Sequence, residues 1–198
     1  MLTVNEIFHS IQGESTHAGR PCVFVRLTGC DLRCTWCDTA YAFHEGRKMS
    51  VGDVVSAIEP YPTRLVELTG GEPLLQDDVY ALIDRLLGTG WEVLVETGGH
   101  VPLDRVSSAV VKVMDVKCPG SGEAEQHDWN NLQWLTERDQ VKFVVRDRAD
   151  YEFARDAIVA RKLVDRCAAV LMSPVHGVLA PEVISRWVLA DGLEVRVQ

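Results

Sequence analysis

The chain has no apolar run approaching the roughly 20 residues that a membrane-spanning helix needs, so no membrane partner is expected. Its first residues carry no basic segment followed by an apolar stretch, which argues against a secretory leader. It has no excess of positive charge: 20 Lys and Arg stand against 29 Asp and Glu, a net charge of −9. That balance disfavours a nucleic-acid groove or an anionic membrane as the main partner. It leaves room for an anionic small molecule in a local basic pocket. There is no internal repeat, and only the Gly- and Glu-rich stretch 118–128 reads as a mobile loop. Six cysteines without a leader point to metal binding or catalysis in a cytoplasmic protein, not to a disulfide framework.

What is there reads as one globular domain over residues 1–198, long enough to bury about 70% of its unfolded surface. Alternating and short apolar runs predict strands over 4–9, 22–28, 64–69, 91–96, 109–117, 141–145, 168–172 and 193–197. Between them the 3.6-residue pattern predicts helices over 51–59, 78–87, 103–108, 130–138, 149–162 and 181–189. Ser50 reads as an N-cap with Asp53 at the third helical position, and Pro181 as a first helical residue. About six strand–helix alternations imply an α/β fold with a mainly parallel sheet and right-handed crossovers. Six are too few for a closed eight-stranded barrel, so an open, partial (β/α)6 barrel is expected, with its chemistry at the C-terminal strand ends.

The densest chemistry lies in Cys30-Asp31-Leu32-Arg33-Cys34-Thr35-Trp36-Cys37, directly after the second strand. Three thiolates at this spacing can hold three irons of a 4Fe–4S cubane and leave the fourth iron open to a small ligand. The competing reading is structural zinc, which needs four ligands. The nearest candidates for a fourth, Asp38 and His44, lack a zinc-finger spacing. Cys22, Cys118 and Cys167 are isolated and read as small buried residues. A second motif, Thr69-Gly70-Gly71-Glu72-Pro73, follows a strand directly, where glycines let a ligand approach the backbone.

Cys-x3-Cys-x2-Cys with an aromatic before its last cysteine resembles the radical S-adenosylmethionine (radical SAM) signature. Together with Phe8-His9-Ser10-Ile11-Gln12-Gly13-Glu14, Val23-Phe24-Val25-Arg26-Leu27, Cys37-Asp38-Thr39 and the Gly-Gly-Glu motif, it is similar to the 7-carboxy-7-deazaguanine synthase family. The resemblance implies a lyase of queuosine biosynthesis that holds a 4Fe–4S cluster on Cys30, Cys34 and Cys37. It implies S-adenosyl-L-methionine beside Trp36, Gly71, Glu72, Asp115, Val116, Lys117 and the loop Ser173, Pro174, Val175 and His176, and Mg²⁺ on Thr39. A pterin substrate is then met by Ile11, Gln12, Gly13, Glu14, Arg26, Thr69 and Glu96. Family members often read Ser-Pro-Lys where this chain has Asp115-Val116-Lys117, so the lysine carries over better than the aspartate. They also continue past the last strand with a His- and Lys-containing tail that closes over the substrate; the sequence here ends at Gln198.

Taken singly, most of these residues have plainer uses. Trp36 can be packing, Asp38 or Thr39 a helix cap, and Glu96, Asp115 or Lys117 a salt-bridged charge. A buried Arg26 needs an anion, either a substrate carboxylate held by a bidentate pair or an internal partner such as Glu14 or Glu72. The implied reaction is reductive cleavage of S-adenosylmethionine, hydrogen abstraction from 6-carboxy-5,6,7,8-tetrahydropterin, ring contraction and loss of ammonia. Its electron comes from a flavodoxin- or ferredoxin-type donor, and a homodimer is expected. The alternatives are an activase that forms a glycyl radical on a partner protein, which shares the three-cysteine loop, and a non-catalytic electron-transfer or zinc module.

Overall fold

The sheet starts from a hairpin. In the computed structural model, which describes residues 1–198, β1 (Leu2–Ile11) and β2 (Pro21–Leu27) pair antiparallel, and the short β3 (Arg47–Met49) adds to the outer side of β1. From β2 onward every pairing is parallel, through β4 (Leu65–Gly70), β5 (Glu92–Thr97), β6 (Val111–Val116), β7 (Gln140–Val145), β8 (Ala169–Pro174) and β9 (Arg196–Val197). The strand order β3-β1-β2-β4-β5-β6-β7-β8-β9 runs from one free edge to the other. The result is the expected mainly parallel α/β sheet, open and not closed by hydrogen bonds.

Four helices cover one face: α1 (Val51–Ile58), α2 (Asp78–Gly88), α3 (Arg148–Arg161) and α4 (Pro181–Asp191). The apolar stripe Val79, Leu82, Ile83 and Leu86 of α2, with Val54 and Ile58 of α1, packs on the strands in a core of 35 buried residues. Ser50 and Asp53 cap α1 reciprocally, at 3.1 Å and 2.9 Å, and Pro181 opens α4. The opposite sheet face turns inward and lines the site.

Two predicted helices do not form as such. Residues 103–108 are turns, and in place of the predicted helix over 130–138 there is only a 3₁₀ segment, Trp129–Trp134. A single buried side chain joins the two segments. Asn131 accepts from the Leu103 amide at 2.9 Å and donates to the Gly99 and Val101 carbonyls at 3.0 and 2.9 Å. It thereby satisfies the backbone of the Gly99–Leu103 turn and fastens that turn to the 3₁₀ segment. The last strand shrinks to Arg196–Val197, and β3 had no legible signal.

The stretch 118–128 is not the free loop that its composition suggests. It makes 3₁₀ turns at Pro119–Ser121 and Ala124–Gln126, and Ser121 is fully buried. The Ser121 carbonyl accepts from the Thr35 amide at 3.0 Å, the Gly120 carbonyl from the Thr35 hydroxyl at 2.9 Å, and Glu123 from the Arg33 amide at 2.6 Å. The Gly120 amide in turn donates to Asp150 in the first turn of α3 at 2.7 Å.

Candidate active site

The C-terminal ends of β2 and β4–β8 surround one cavity of about 630 Å³. The cysteine loop forms one wall. Its base is closed by the Gly29 amide donating to Ala42 at 2.9 Å, and its outer side is held by the 118–123 turns. Cys30, Cys34 and Cys37 are free, half-buried and face the cavity. Burial pushes the Cys30 and Cys34 thiols up from their ordinary value. Cys22, Cys118 and Cys167 are also free; the first two are buried away from the cavity, as expected.

Gly71 shows why this wall needs glycine. Its amide donates to the Leu27 carbonyl at 3.2 Å and the next amide, Glu72, donates to Gly29 at 2.8 Å. An added Cβ would drive into the Gly29 carbonyl and stand 2.7 Å from the Cys30 Cβ. The Gly-Gly-Glu strand end and the cysteine loop are therefore laced together, backbone against backbone.

The Glu72 carboxylate is committed elsewhere. It accepts from the Leu74 amide at 3.0 Å, from the Thr97 hydroxyl at 2.9 Å and from the Gly98 amide at 2.8 Å, while burial raises its pKa. It thereby ties β4 to β5. His100, on the same rim, bonds Asp31 of the cysteine loop at 2.7 Å.

Opposite the cysteines lies a charged cluster. Lys142 of β7 pairs with Glu96 at 3.0 Å and with Glu14. Burial works against its charge, but Glu96, Asp115 and Glu14 outweigh it and push its pKa well above the ordinary value. Lys142 holds the Glu96 carboxyl below its usual range, while burial raises Glu14. Lys117 pairs with Asp115 at 2.8 Å.

Nearly every residue named from the sequence meets in this cavity, with two exceptions. Ile11 ends β1 and is 58% exposed outside it. Val116 is buried in the core beneath the sheet, because the pleat points it away from the face that carries Asp115. Arg26 has an internal partner, but neither Glu14 nor Glu72: its Nε donates to Glu6 at 2.8 Å, and Tyr41 holds the same carboxylate. Glu67, His100 and Lys142 were not foreseen. Strands buried on both faces read as continuous apolar runs, so the charges in Leu65-Val66-Glu67-Leu68 and Val141-Lys142-Phe143 were the available signal. The signal does not give the face: Lys112 interrupts β6 likewise, yet pairs with Asp139 at 2.9 Å, fully buried and outside the cavity lining.

The donor set fits an iron–sulfur cube. Cys30, Cys34 and Cys37 offer three free thiols from one cavity-facing loop, and a cube gives each thiolate its own iron. Beside the loop, Ser173 Oγ and Asp115 Oδ1 are buried without a protein partner and line the cavity, which suits a polar nucleotide ligand.

Comparison with known proteins agrees. Residues 24–116 match the Radical SAM superfamily model. The chain is 44% identical to the 7-carboxy-7-deazaguanine synthase of Koribacter versatilis, over 99% of this chain and 93% of that one. It is 40% identical to the synthase of that name from Chlorobaculum tepidum, over 100% and 90%. In fold it matches the crystal structure of QueE from Escherichia coli, with a TM-score of 0.80 at 24% identity, covering 100% of this chain and 93% of that one. Relatives this similar along the whole length, on a sheet that brings three free cysteines against a Gly-Gly-Glu turn, establish that the chain belongs to the 7-carboxy-7-deazaguanine synthase family of the radical SAM superfamily.

Proposed function

We propose that this protein is a radical SAM lyase that converts 6-carboxy-5,6,7,8-tetrahydropterin to 7-carboxy-7-deazaguanine with release of ammonia, with residues 1–198 acting as one unit. The observation that carries the reading is the contact of the cysteine loop with the Gly70-Gly71 strand end over a cavity that also holds Arg26 and the Lys142 cluster. Cys30, Cys34 and Cys37 would hold the cluster, and Gly71, Asp115, Lys117 and the Ser173–His176 loop would meet S-adenosylmethionine. When bound, cluster and S-adenosylmethionine supply one-electron, hydrogen-abstracting chemistry.

The chain's own residues prepare the substrate. Arg26 uses Nε for Glu6, which leaves its terminal nitrogens for the substrate carboxylate. Lys142 fixes Glu14 and Glu96 so that their remaining lone pairs face ring N–H groups. The Thr69 hydroxyl donates to Glu96 at 3.3 Å and holds that carboxylate from the other side. Thr39 lines the cavity 3.8 Å from the Cys37 sulfur and is the proposed oxygen ligand of Mg²⁺, an ion that takes few protein oxygens. A flavodoxin- or ferredoxin-type donor, a homodimer and a cytoplasmic setting complete the proposal.

Anaerobic reconstitution tests it. The protein should take up iron and sulfide, turn brown, cleave S-adenosylmethionine under a strong reductant, and consume the tetrahydropterin with one ammonia released per product. Cleavage without pterin consumption, together with loss of a glycine hydrogen from a partner protein, would instead identify an activase. A colourless zinc protein would refute both readings.

A further inference from the structure

Glu67 occupies an unusual place for a carboxyl. It lies in β4 with its side chain on the cavity face, and it is only 5% exposed. In register it stands between Phe24 of β2 and Leu94 of β5. Those two pack with Cys22, Leu65 and Val111 as a small apolar cluster. The Phe24 ring is stacked on Phe8, 4.9 Å between centroids and 11° from parallel, and both rings line the cavity. This corner of the floor is thus flat and apolar, with one carboxyl set into it.

A carboxyl in such a layer is costly unless its oxygens are hydrogen-bonded. Glu67 has one protein partner: the Gln12 side-chain amide donates to Oε2. The orientation of that amide is fixed, because Gln12 Oε1 accepts from the Glu14 backbone at 3.2 Å and its NH₂ must therefore face Glu67. Lys142, the cation on this side, is committed to Glu14 and Glu96. Orienting Gln12 uses one oxygen of Glu67, and the other, Oε1, receives nothing from the protein. Burial, with the charge of Glu96 next, pushes this carboxyl up to about 8. That shift favours the protonated form, which both donates and accepts.

We propose that Glu67 is a specificity-determining residue, whose free oxygen hydrogen-bonds the lactam edge (a ring C=O beside an N–H) of a flat nitrogen heterocycle lying against Phe24. The proposal rests on the pterin reading above and names the residue that distinguishes the pyrimidinone half of that substrate from a plain ring. Arg26 lies one layer nearer the strand ends, beside Thr69 in register. The carboxylate and the lactam edge of one bicyclic ligand would thus be read on neighbouring strands at different depths.

The test is binding of two unreactive ligands to the reconstituted enzyme. Pterin-6-carboxylate keeps the edge; quinoxaline-2-carboxylate keeps the bicyclic shape and the acid but replaces the pyrimidinone with a benzene ring. Wild type, Glu67→Gln and Glu67→Leu are compared by fluorescence titration or equilibrium dialysis, with iron content and S-adenosylmethionine cleavage as controls. Glu67→Leu should weaken pterin-6-carboxylate by about 10-fold or more and leave quinoxaline-2-carboxylate unchanged or tighter. Glu67→Gln, nearly isosteric, should fall between. In turnover, KM for the tetrahydropterin should rise while kcat stays within a few-fold. If both ligands change by the same factor in Glu67→Gln, or neither changes, Glu67 merely anchors Gln12 and the proposal is overturned. If wild-type enzyme neither binds pterin-6-carboxylate nor consumes the tetrahydropterin, the functional reading itself has failed, and this proposal with it.

Discussion

Replacing Gly71 by alanine adds one methyl group at the seam between the Gly-Gly-Glu strand end and the cysteine loop. Gly71 lies outside the positive-φ region, so the substitution strains nothing intrinsically and its effect is steric. The new Cβ would stand 2.6 Å from the Gly29 carbonyl carbon and 2.7 Å from the Cys30 Cβ, roughly 1 Å inside ordinary carbon contact. Neither neighbour is the end of a flexible chain, so the loop itself must move. Relief by about 1 Å would break the Glu72–Gly29 hydrogen bond and weaken that from Gly71 to Leu27, about 1 kcal/mol each, beside an overpacking cost of about 1–3 kcal/mol. A total of about 4 kcal/mol lowers the Tm of a chain this size by roughly 10 °C. The same displacement at Cys30 should cut S-adenosylmethionine cleavage about 100-fold, with less iron per chain. Gly88→Ala is the control: nothing lies within 4 Å of its Cβ at the end of α2, and it should be neutral or stabilising by up to about 1 kcal/mol. Calorimetry, iron analysis and cleavage assays report the three quantities. A Gly71→Ala enzyme with wild-type iron and cleavage within two- or threefold would refute the steric argument.

Alanine at Cys30, Cys34 or Cys37 should abolish stable iron loading while the protein still melts cooperatively, whereas Cys118→Ala should load iron normally; iron analysis with calorimetry separates them. Lys142→Met leaves Glu14 and Glu96 without their cation and should destabilise by about 3 kcal/mol in urea unfolding, and adding Glu96→Gln should restore at least about 1 kcal/mol of that. Hydrogen bonds from Arg20 and His17, with the Arg20 charge, hold the Glu92 carboxyl down from 4.5 to about 2. A depressed carboxyl stabilises the fold above its unfolded pKa, and that contribution fades as pH falls from 4.5 towards 2. Its full value is roughly 3 kcal/mol, which solvent screening of a side chain 35% exposed reduces to about 1 kcal/mol. Glu92→Gln should therefore melt a few degrees below wild type at pH 7, with the gap narrowing below pH 4.5; a gap that widens with acid would contradict the assignment.

The sheet and most of the site were legible because they rest on local signals. Apolar runs ending in Gly-Gly or Cys-Pro marked the parallel strands and their reactive ends. Ser50 and Pro181 marked helix starts by capping chemistry that needs only neighbours in sequence. What stayed illegible depended on distant partners. Nothing near residues 103–108 announces that Asn131 will bond the backbone of the turn that leads into them. Arg26 was legible as a buried cation in want of an anion, but Glu6 becomes its partner only through the β1–β2 pairing. Lys142 and Lys112 look alike in sequence, and only the pleat sets one in the cavity and the other against Asp139. The Val116 side chain lies in the core for the same reason, since a motif read as three consecutive residues ignores that strand neighbours point opposite ways.

The turns at 118–123 have a consequence for how the enzyme is made. The thiols are translated early, but Thr35 and Arg33 find their anchors only at Gly120, Ser121 and Glu123, and the first of these is held in turn by Asp150. At ribosomal speeds the first cysteines wait about ten seconds for residue 150 to emerge. A nascent chain stopped before β7 should capture iron poorly, so metallation follows synthesis of the second half of the sheet, and a stalled or truncated product leaves its sulfurs bare to oxidants.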